Sequence, residues 1–226
     1  MSMNDSADVR WWWVRHAPVV DHGGKLYGQR DVPCDVSDAL AFASLARALP
    51  EGAVWVTSHL SRARDTAAAI VSAGRAAPAP GCAVPAPGCA VPESIIEPDF
   101  AEQNFGDWAG LDWEEIAARD PALHARFWDD PVGLAPPGGE SFAAVIARVG
   151  ATVARLSGAH QGDIVAVAHG GPIRAAIALA LALDPARAMA VRIDNLSLTR
   201  LDLVAGGTLR GHGGAWRVVG VNRPPY

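Results

Sequence analysis

The sequence contains only three cysteines, Cys34, Cys82 and Cys89, and no Cys-x-x-Cys pair. An odd set at such spacings supplies neither a disulfide framework nor a zinc knuckle. Free thiols suit a reducing compartment, so a cytoplasmic address is expected. Charge is also scarce: 19% of the 226 residues are Asp, Glu, Lys or Arg, and the net charge is −5. With no basic stripe to displace counterions, a nucleic-acid partner is not expected. No run approaches the ~20 apolar residues of a membrane span, the longest being around "AAIALALAL" (175–183), so no membrane partner is expected. The opening "MSMNDSADVR" is polar and lacks the apolar centre of a signal peptide. There is no His-x-x-x-His pair or carboxylate cluster, so neither metal nor other cofactor is expected.

What the chain has in quantity is apolar residues, 50% of the total, enough for a large core. Its length fits one large α/β domain or two small ones. "WWWVRH" (11–16), "AVWVTS" (53–58) and "DIVAVAHGG" (163–171) read as buried parallel strands. "LSLTRLDL" (196–203) alternates and reads as a strand nearer an edge, and "AWRVVGVN" (215–222) would close the sheet. Helical patterns fill the gaps: 37–49 with Ser37 as N-cap, 61–73 stopped by Gly74, 113–120 and its successor after Pro121, 139–158, and 171–183. Strands alternating with helices predict an α/β fold, a three-layer α/β/α sandwich with a mainly parallel central sheet. The expected organisation is a disordered N-terminus over 1–9 and a single domain over 10–226. The stretch "PAPGCAVPAPGCAVP" (78–92), a tandem heptapeptide, marks a Pro/Gly-rich insertion over 75–92. Such proline density sustains neither helix nor central strand. It reads as a lengthened surface loop, with a Cys82–Cys89 redox pair as the alternative.

The chemistry-bearing residues stand at strand ends. Ligands of open α/β sheets bind outside the carboxyl ends of the strands. Arg15 and His16 end the first strand, and His169 ends the third, followed by Gly170 and Gly171 at a helix start. Glycines there let backbone N–H groups approach an anion at the helix N-terminus. The second strand ends at Ser58, with Arg62 in the following helical turn. Two arginines, two histidines and a helix N-terminus make a cationic pocket on an acidic protein. A phosphate fits it, because guanidinium forks match phosphate oxygens.

In their order, "VRHAPV", "SHLSRARDTA", "FAEQNFGDWAG", "PPGGESF" and "VAHGG" resemble the successive motifs of the histidine phosphatase superfamily, the phosphoglycerate mutase-like fold. The resemblance implies that His16 is the nucleophile and forms a phosphohistidine. It implies that Arg15, Arg62 and His169, with Gly170, hold the phosphoryl oxygens and neutralise charge that develops in transfer. Glu102 matches the general acid, which protonates the leaving oxygen and then activates water. Asp99 and Asp107 flank it and compete for that role. His16 must be neutral at its attacking nitrogen, with the other ring N–H held by an acceptor. Ala17 stands where the family usually has glycine, and Pro18-Val19 replace its frequent acidic or hydroxyl residues. That substitution puts the usual phosphate contact there in doubt. Glu140 reads as a capping or supporting carboxylate, His59 as a loop residue, and His124, His160 and His212 as surface.

Within the superfamily, "FGDWAG" and the length look more like the phosphatase branch than the glycolytic mutases. "YGQRDVP" is similar to the α-ribazole phosphatases. His22, Tyr27 and Gln29 in this region either face the leaving group or are exposed loop residues. The expectation is a metal-independent phosphomonoesterase acting on a small phosphorylated metabolite, α-ribazole 5′-phosphate being one candidate. The alternatives are a phosphoglycerate mutase that needs a 2,3-bisphosphoglycerate primer, and a silent phosphoprotein-binding module.

Overall fold

The computed structural model describes residues 8–21, 23–75 and 94–226. Its centre is a six-stranded sheet in the order β3-β2-β4-β1-β5-β6. The strands are β1 (Val9–Arg15), β2 (Val54–Thr57), β3 (Ile95–Ile96), β4 (Gly162–Ala168), β5 (Leu198–Leu203) and β6 (Trp216–Arg223). β3, β2, β4 and β1 run parallel, whereas β5 and β6 are antiparallel additions on the other side of β1. The sheet is therefore mixed, with its parallel half carrying all the strand ends singled out above. β5 lies inside the sheet and β6 forms the edge.

Side chains alternate across the sheet, and the tryptophan run obeys that alternation. Trp11 and Trp13 point to one face, where they stack with ring centroids 5.2 Å apart and enclose Phe100. Ile164, Ala166 and Ala168 of β4 share that face with α5 (Phe142–Ala159) and α6 (Gly170–Leu181). Trp12 points the other way, its indole donating to Asp163 and lying 4.3 Å beneath the Arg200 guanidinium. On that second face Val14, Val165 and Val167 pack against α1 (Ala39–Ala48) and α2 (Ser61–Arg75). A third cluster forms around Trp108, Ile116 and Phe127, under α3 (Trp113–Arg119) and α4 (Pro121–Asp129). A short α7 (Pro185–Met189) completes the helices.

Local chemistry moves several boundaries from their predicted places. Asp38, not Ser37, caps α1 by accepting from the Ala41 N–H, while the Ser37 N–H is taken by Asp35. Gly74 does not stop α2; the helix runs through it to Arg75. Val9, expected in a disordered tail, is buried in β1 at 2% exposure. Residues 1–7 and the tandem repeat, with Cys82 and Cys89, lie outside the described residues. Among the described residues one helix, α5, is long and apolar enough to cross a membrane by length and composition alone. Here its Val145, Val149 and Leu156 are buried in the core.

Candidate active site

The register of two adjacent strands assembles the centre of the site. Arg15 of β1 is the pairing partner of Ala168 of β4, so the residues after them, His16 and His169, emerge side by side. Their ring centroids are 5.0 Å apart, and the His16 N–H donates to the Ala168 carbonyl at 3.0 Å. β2 contributes next: Thr57 pairs with Val167, which brings Ser58 against His169. Arg62, one turn further on in α2, reaches under the loop that follows β1.

His16 is fully buried, and its Nδ1 lies 2.7 Å from the Ala17 carbonyl oxygen. A carbonyl only accepts, so Nδ1 carries the hydrogen and Nε2 keeps its lone pair. Nε2 has no hydrogen-bond partner among the described residues. Burial first, then the Arg62 and Arg15 charges, lowers the His16 pKa to about 3. The ring is thus neutral at physiological pH, with its lone pair at Nε2.

His169 is likewise buried and held neutral, its pKa pushed well below the usual range by burial and then by His16, Arg62 and Arg15. The Ser58 hydroxyl lies 2.7 Å from Nε2 of His169 and already accepts the Leu60 N–H. Nε2 is the one acceptor for the Ser58 hydroxyl proton among the described residues, and with that proton given to Nε2 the ring hydrogen is on Nδ1, an atom with no partner among the described residues.

Arg62 donates through its two terminal nitrogens to the carbonyls of Arg30 and Gly28. Its guanidinium lies 4.9 Å from the Tyr27 ring centre. Gly28 has φ +47°, and a Cβ there would stand 2.9 Å from the Gln103 carbonyl oxygen, so only glycine lets this carbonyl reach Arg62. Arg15 donates through Nη1 to the Ile193 carbonyl. The Nε atoms of both arginines are buried and without partners among the described residues. The cluster therefore holds three N–H donors, Arg15 Nε, Arg62 Nε and His169 Nδ1, beside one lone pair, His16 Nε2. Buried polar groups are nearly always paired, so four such groups together mark a place that takes a ligand, and their charge selects an anion.

Glu102 stands at the rim of this cluster. Its Oε1 accepts from the backbone N–H of Gln103 and of Gly171 in the first turn of α6, both at 2.9 Å. Oε2 makes no such bond among the described residues. The Glu102 backbone is held in turn: its carbonyl accepts from Gln29 and Arg148, and Arg148 forms a paired contact with Glu140. Glu140 also accepts the Asn104 N–H and is a bracing carboxylate. Gln29 belongs to this brace: its side-chain amide donates to the Glu102 carbonyl and to Glu140, which turns it away from the expected leaving-group role. Asp99 and Asp107 are exposed and outside the cavity wall, which leaves Glu102 as the carboxylate at the site.

A cavity of about 490 Å³ lies against Arg15 and Glu102. Arg15, Tyr27, Glu102 and Gly171 line it, together with the aromatic rings of Phe105, Trp113 and Trp128. Pro18 and Val19 add apolar wall where the family resemblance suggested a polar contact. His22 lies outside the described residues. His59 and His212 are exposed, and His160 caps the end of α5. His124, at the surface, accepts the Trp128 indole N–H. Sequence reasoning missed several wall residues, among them Lys25, Arg174 and Asn195. Asn195 donates to the carbonyls of His16 and Ala17 from 179 residues away, a contact with no local signature.

Comparison with known proteins gives a consistent result. The family model of the histidine phosphatase superfamily (branch 1) matches residues 11–212. A bifunctional protein of Mycobacterium tuberculosis is 34% identical over 156 residues, 69% of this chain and 38% of its own length. The chain thus spans less than half of that relative. The adenosylcobalamin/α-ribazole phosphatase of Salmonella typhimurium is 26% identical over 203 residues, 88% of this chain and 92% of its own. The solved mycobacterial glucosyl-3-phosphoglycerate phosphatase superposes with a TM-score of 0.74 at 26% identity, covering 96% of this chain and 100% of that one.

Proposed function

The chain belongs to the histidine phosphatase superfamily, and from that premise we propose that it is a metal-independent phosphomonoesterase that works through a phosphohistidine. The observation that carries the reading is His16: a buried neutral imidazole whose Nδ1 hydrogen is tied to a carbonyl and whose Nε2 lone pair stands among the N–H donors of Arg15, Arg62 and His169.

In the first step Nε2 of His16 attacks phosphorus as the ester P–O bond breaks. Glu102 gives its proton to the leaving oxygen, and the alcohol departs. In the second step water attacks the phosphohistidine, Glu102 takes the water's proton, and the P–N bond breaks to return phosphate and neutral His16. The three N–H donors face the phosphoryl oxygens throughout, so catalysis is chiefly positioning and charge stabilisation. The Ala17 carbonyl stabilises the imidazole while Nε2 carries the phosphoryl group.

The cavity beyond the phosphoryl site is of small-metabolite size. Two relatives name two kinds of substrate, α-ribazole phosphate and glucosyl-3-phosphoglycerate. The likeness of "YGQRDVP" to α-ribazole phosphatases and the 26% identity over 88% of this chain support the first; the 26% identity of the superposed glucosyl-3-phosphoglycerate phosphatase supports the second. The test is phosphate release in EDTA from a panel containing both, an aryl phosphate and 3-phosphoglycerate, with His16→Ala alongside. Release that His16→Ala abolishes, through an acid-labile phosphoenzyme, is expected. Strong inhibition by EDTA would overturn the metal-free step. Isomerisation of primed 3-phosphoglycerate without net release would make the protein a mutase.

A further inference from the structure

With Arg15 and Arg62 assigned to the phosphoryl group, two other cations line the cavity, Lys25 and Arg174. Lys25 approaches Glu115 at 3.6 Å. Arg174 has no carboxylate within 4 Å among the described residues. It lies four residues after Gly170 on α6, on the same face of the helix. Its Nε donates to the Val191 carbonyl at 2.8 Å, which fixes the side chain, while its terminal nitrogens make no hydrogen bond among the described residues. Nη1 runs so close to Gly170 that a Cβ there would stand 3.1 Å away, and the same point is 3.7 Å from Oε2 of Glu102.

That placement decides what Arg174 can meet. Oε2 is the Glu102 oxygen without a hydrogen bond among the described residues and is the one that can reach the leaving oxygen of the ester. A cation beside it sits on the leaving-group side of phosphorus, not on the side that grips the phosphoryl oxygens. A half-buried guanidinium with no carboxylate in direct contact is costly, and burial already pushes this one down from its ordinary range, while the more distant Glu102 charge pulls it up. A fork with free terminal nitrogens matches a carboxylate in paired geometry. We propose that Arg174 is a specificity-determining residue that pairs with a carboxylate of the leaving group, so that the preferred substrates are phosphomonoesters of hydroxy acids. The inference rests on the phosphatase reading and chooses between its two candidates. α-Ribazole carries no carboxylate; a glycerate does.

The matched probes are 3-phosphoglycerate and glycerol 3-phosphate, which differ by a carboxylate in place of a hydroxymethyl group. The wild type should prefer the first in kcat/KM. In Arg174→Gln that preference should fall by about 10- to 150-fold, the range for a lost charge-assisted contact. Arg174→Lys, which keeps the charge without the fork, should retain part of it. Inhibition by orthovanadate, which reads the phosphoryl site alone, checks that Arg174→Gln is folded; if it is not, the Lys variant carries the test. Wild type with no preference, or an Arg174→Gln preference equal to wild type, would overturn the assignment. An equal fall on both esters would show that Arg174 acts on Glu102 instead and would also overturn it. A wild type that releases phosphate from no ester would remove the phosphatase reading itself, an outcome separate from these.

Discussion

Replacing Gly171 by alanine isolates the positioning of Glu102. The Gly171 N–H is one of two backbone donors to Oε1, and a Cβ built on Gly171 would lie 2.3 Å from that oxygen. Ordinary contacts are about 3.4 Å or more, so the carboxylate must retreat by roughly 1 Å and lose the bond. The backbone itself accepts alanine, because Gly171 is helical with negative φ, and the exchange should add up to about 1 kcal/mol of helix stability. The helix gain offsets only part of the stability that the lost bond removes. A lost hydrogen bond to a charged group costs about 1.5–3 kcal/mol, and a displacement of this size can cost about 10²-fold in rate. The assay is kcat/KM, which reports steps only through phosphoryl transfer to His16, for an alkyl and an aryl phosphate. The alkyl ester needs a protonated leaving oxygen and should lose about 10- to 100-fold. The aryl ester leaves unaided and should lose under about threefold. Equal losses on both, or none, would refute the claim that Gly171 sets the position of the acid.

Three further outcomes follow from the same geometry. Unfolded histidine titrates near pH 6.5, whereas His16 stays neutral down to about 3. Below 6.5 the unfolded chain binds protons that the native ring refuses, so stability is full above about pH 7 and falls by about 1.4 kcal/mol per unit per buried histidine as pH drops. Urea midpoints at pH 7.5 and 5.5 should show a smaller drop for His16→Asn than for wild type; equal drops would contradict the neutral native imidazole. Ser58→Ala frees Nε2 of His169 and lets the ring hydrogen leave Nδ1, so orthovanadate inhibition should weaken roughly 10-fold; unchanged inhibition would rule out this orienting role. The Trp11 indole donates to Ser157, whereas the buried Trp13 Nε1 has no partner among the described residues. Trp11→Phe should therefore destabilise by about 1 kcal/mol more than Trp13→Phe in urea unfolding, and the reverse order would count against the argument.

The parts of the site legible in the sequence are those tied to strand ends. Arg15, His16, Ser58 and His169 could be placed because a short apolar run fixes where a buried strand stops, and the sheet then fixes what stands next to what. Two kinds of feature escaped. β3 is only Ile95–Ile96, too short for alternation to register, and its existence depends on pairing with Val56 and Thr57. Asn195 reaches His16 from a distant turn, and no pattern near Asn195 announces it. Arg174 was in principle readable, since residues four apart on a helix share a face and Gly170 was already singled out. Gln29 shows the opposite failure: its loop was identified, but the direction of its side chain follows from Glu140 and the Glu102 carbonyl, both brought in by the fold. The caps moved for a local reason, because Asp35 and Asp38 compete with Ser37 for the same few backbone groups.

The position of β1 in the middle of the sheet also governs how the chain can be made. The strand that delivers His16 has no neighbour nearby in sequence: Arg10 meets Asp163 153 residues later, and β5 follows later still. As the chain is synthesised, "VRWWWVR" emerges as a β-prone, strongly apolar segment and waits for both flanks until β4 and β5 have appeared. Such an exposed segment is an aggregation hazard in the interim. Expression yield should therefore be more sensitive to the rate at which the distal half is produced than to substitutions in the catalytic cluster. His16 is translated well before β4 and β5, and it is placed only once both have paired with β1.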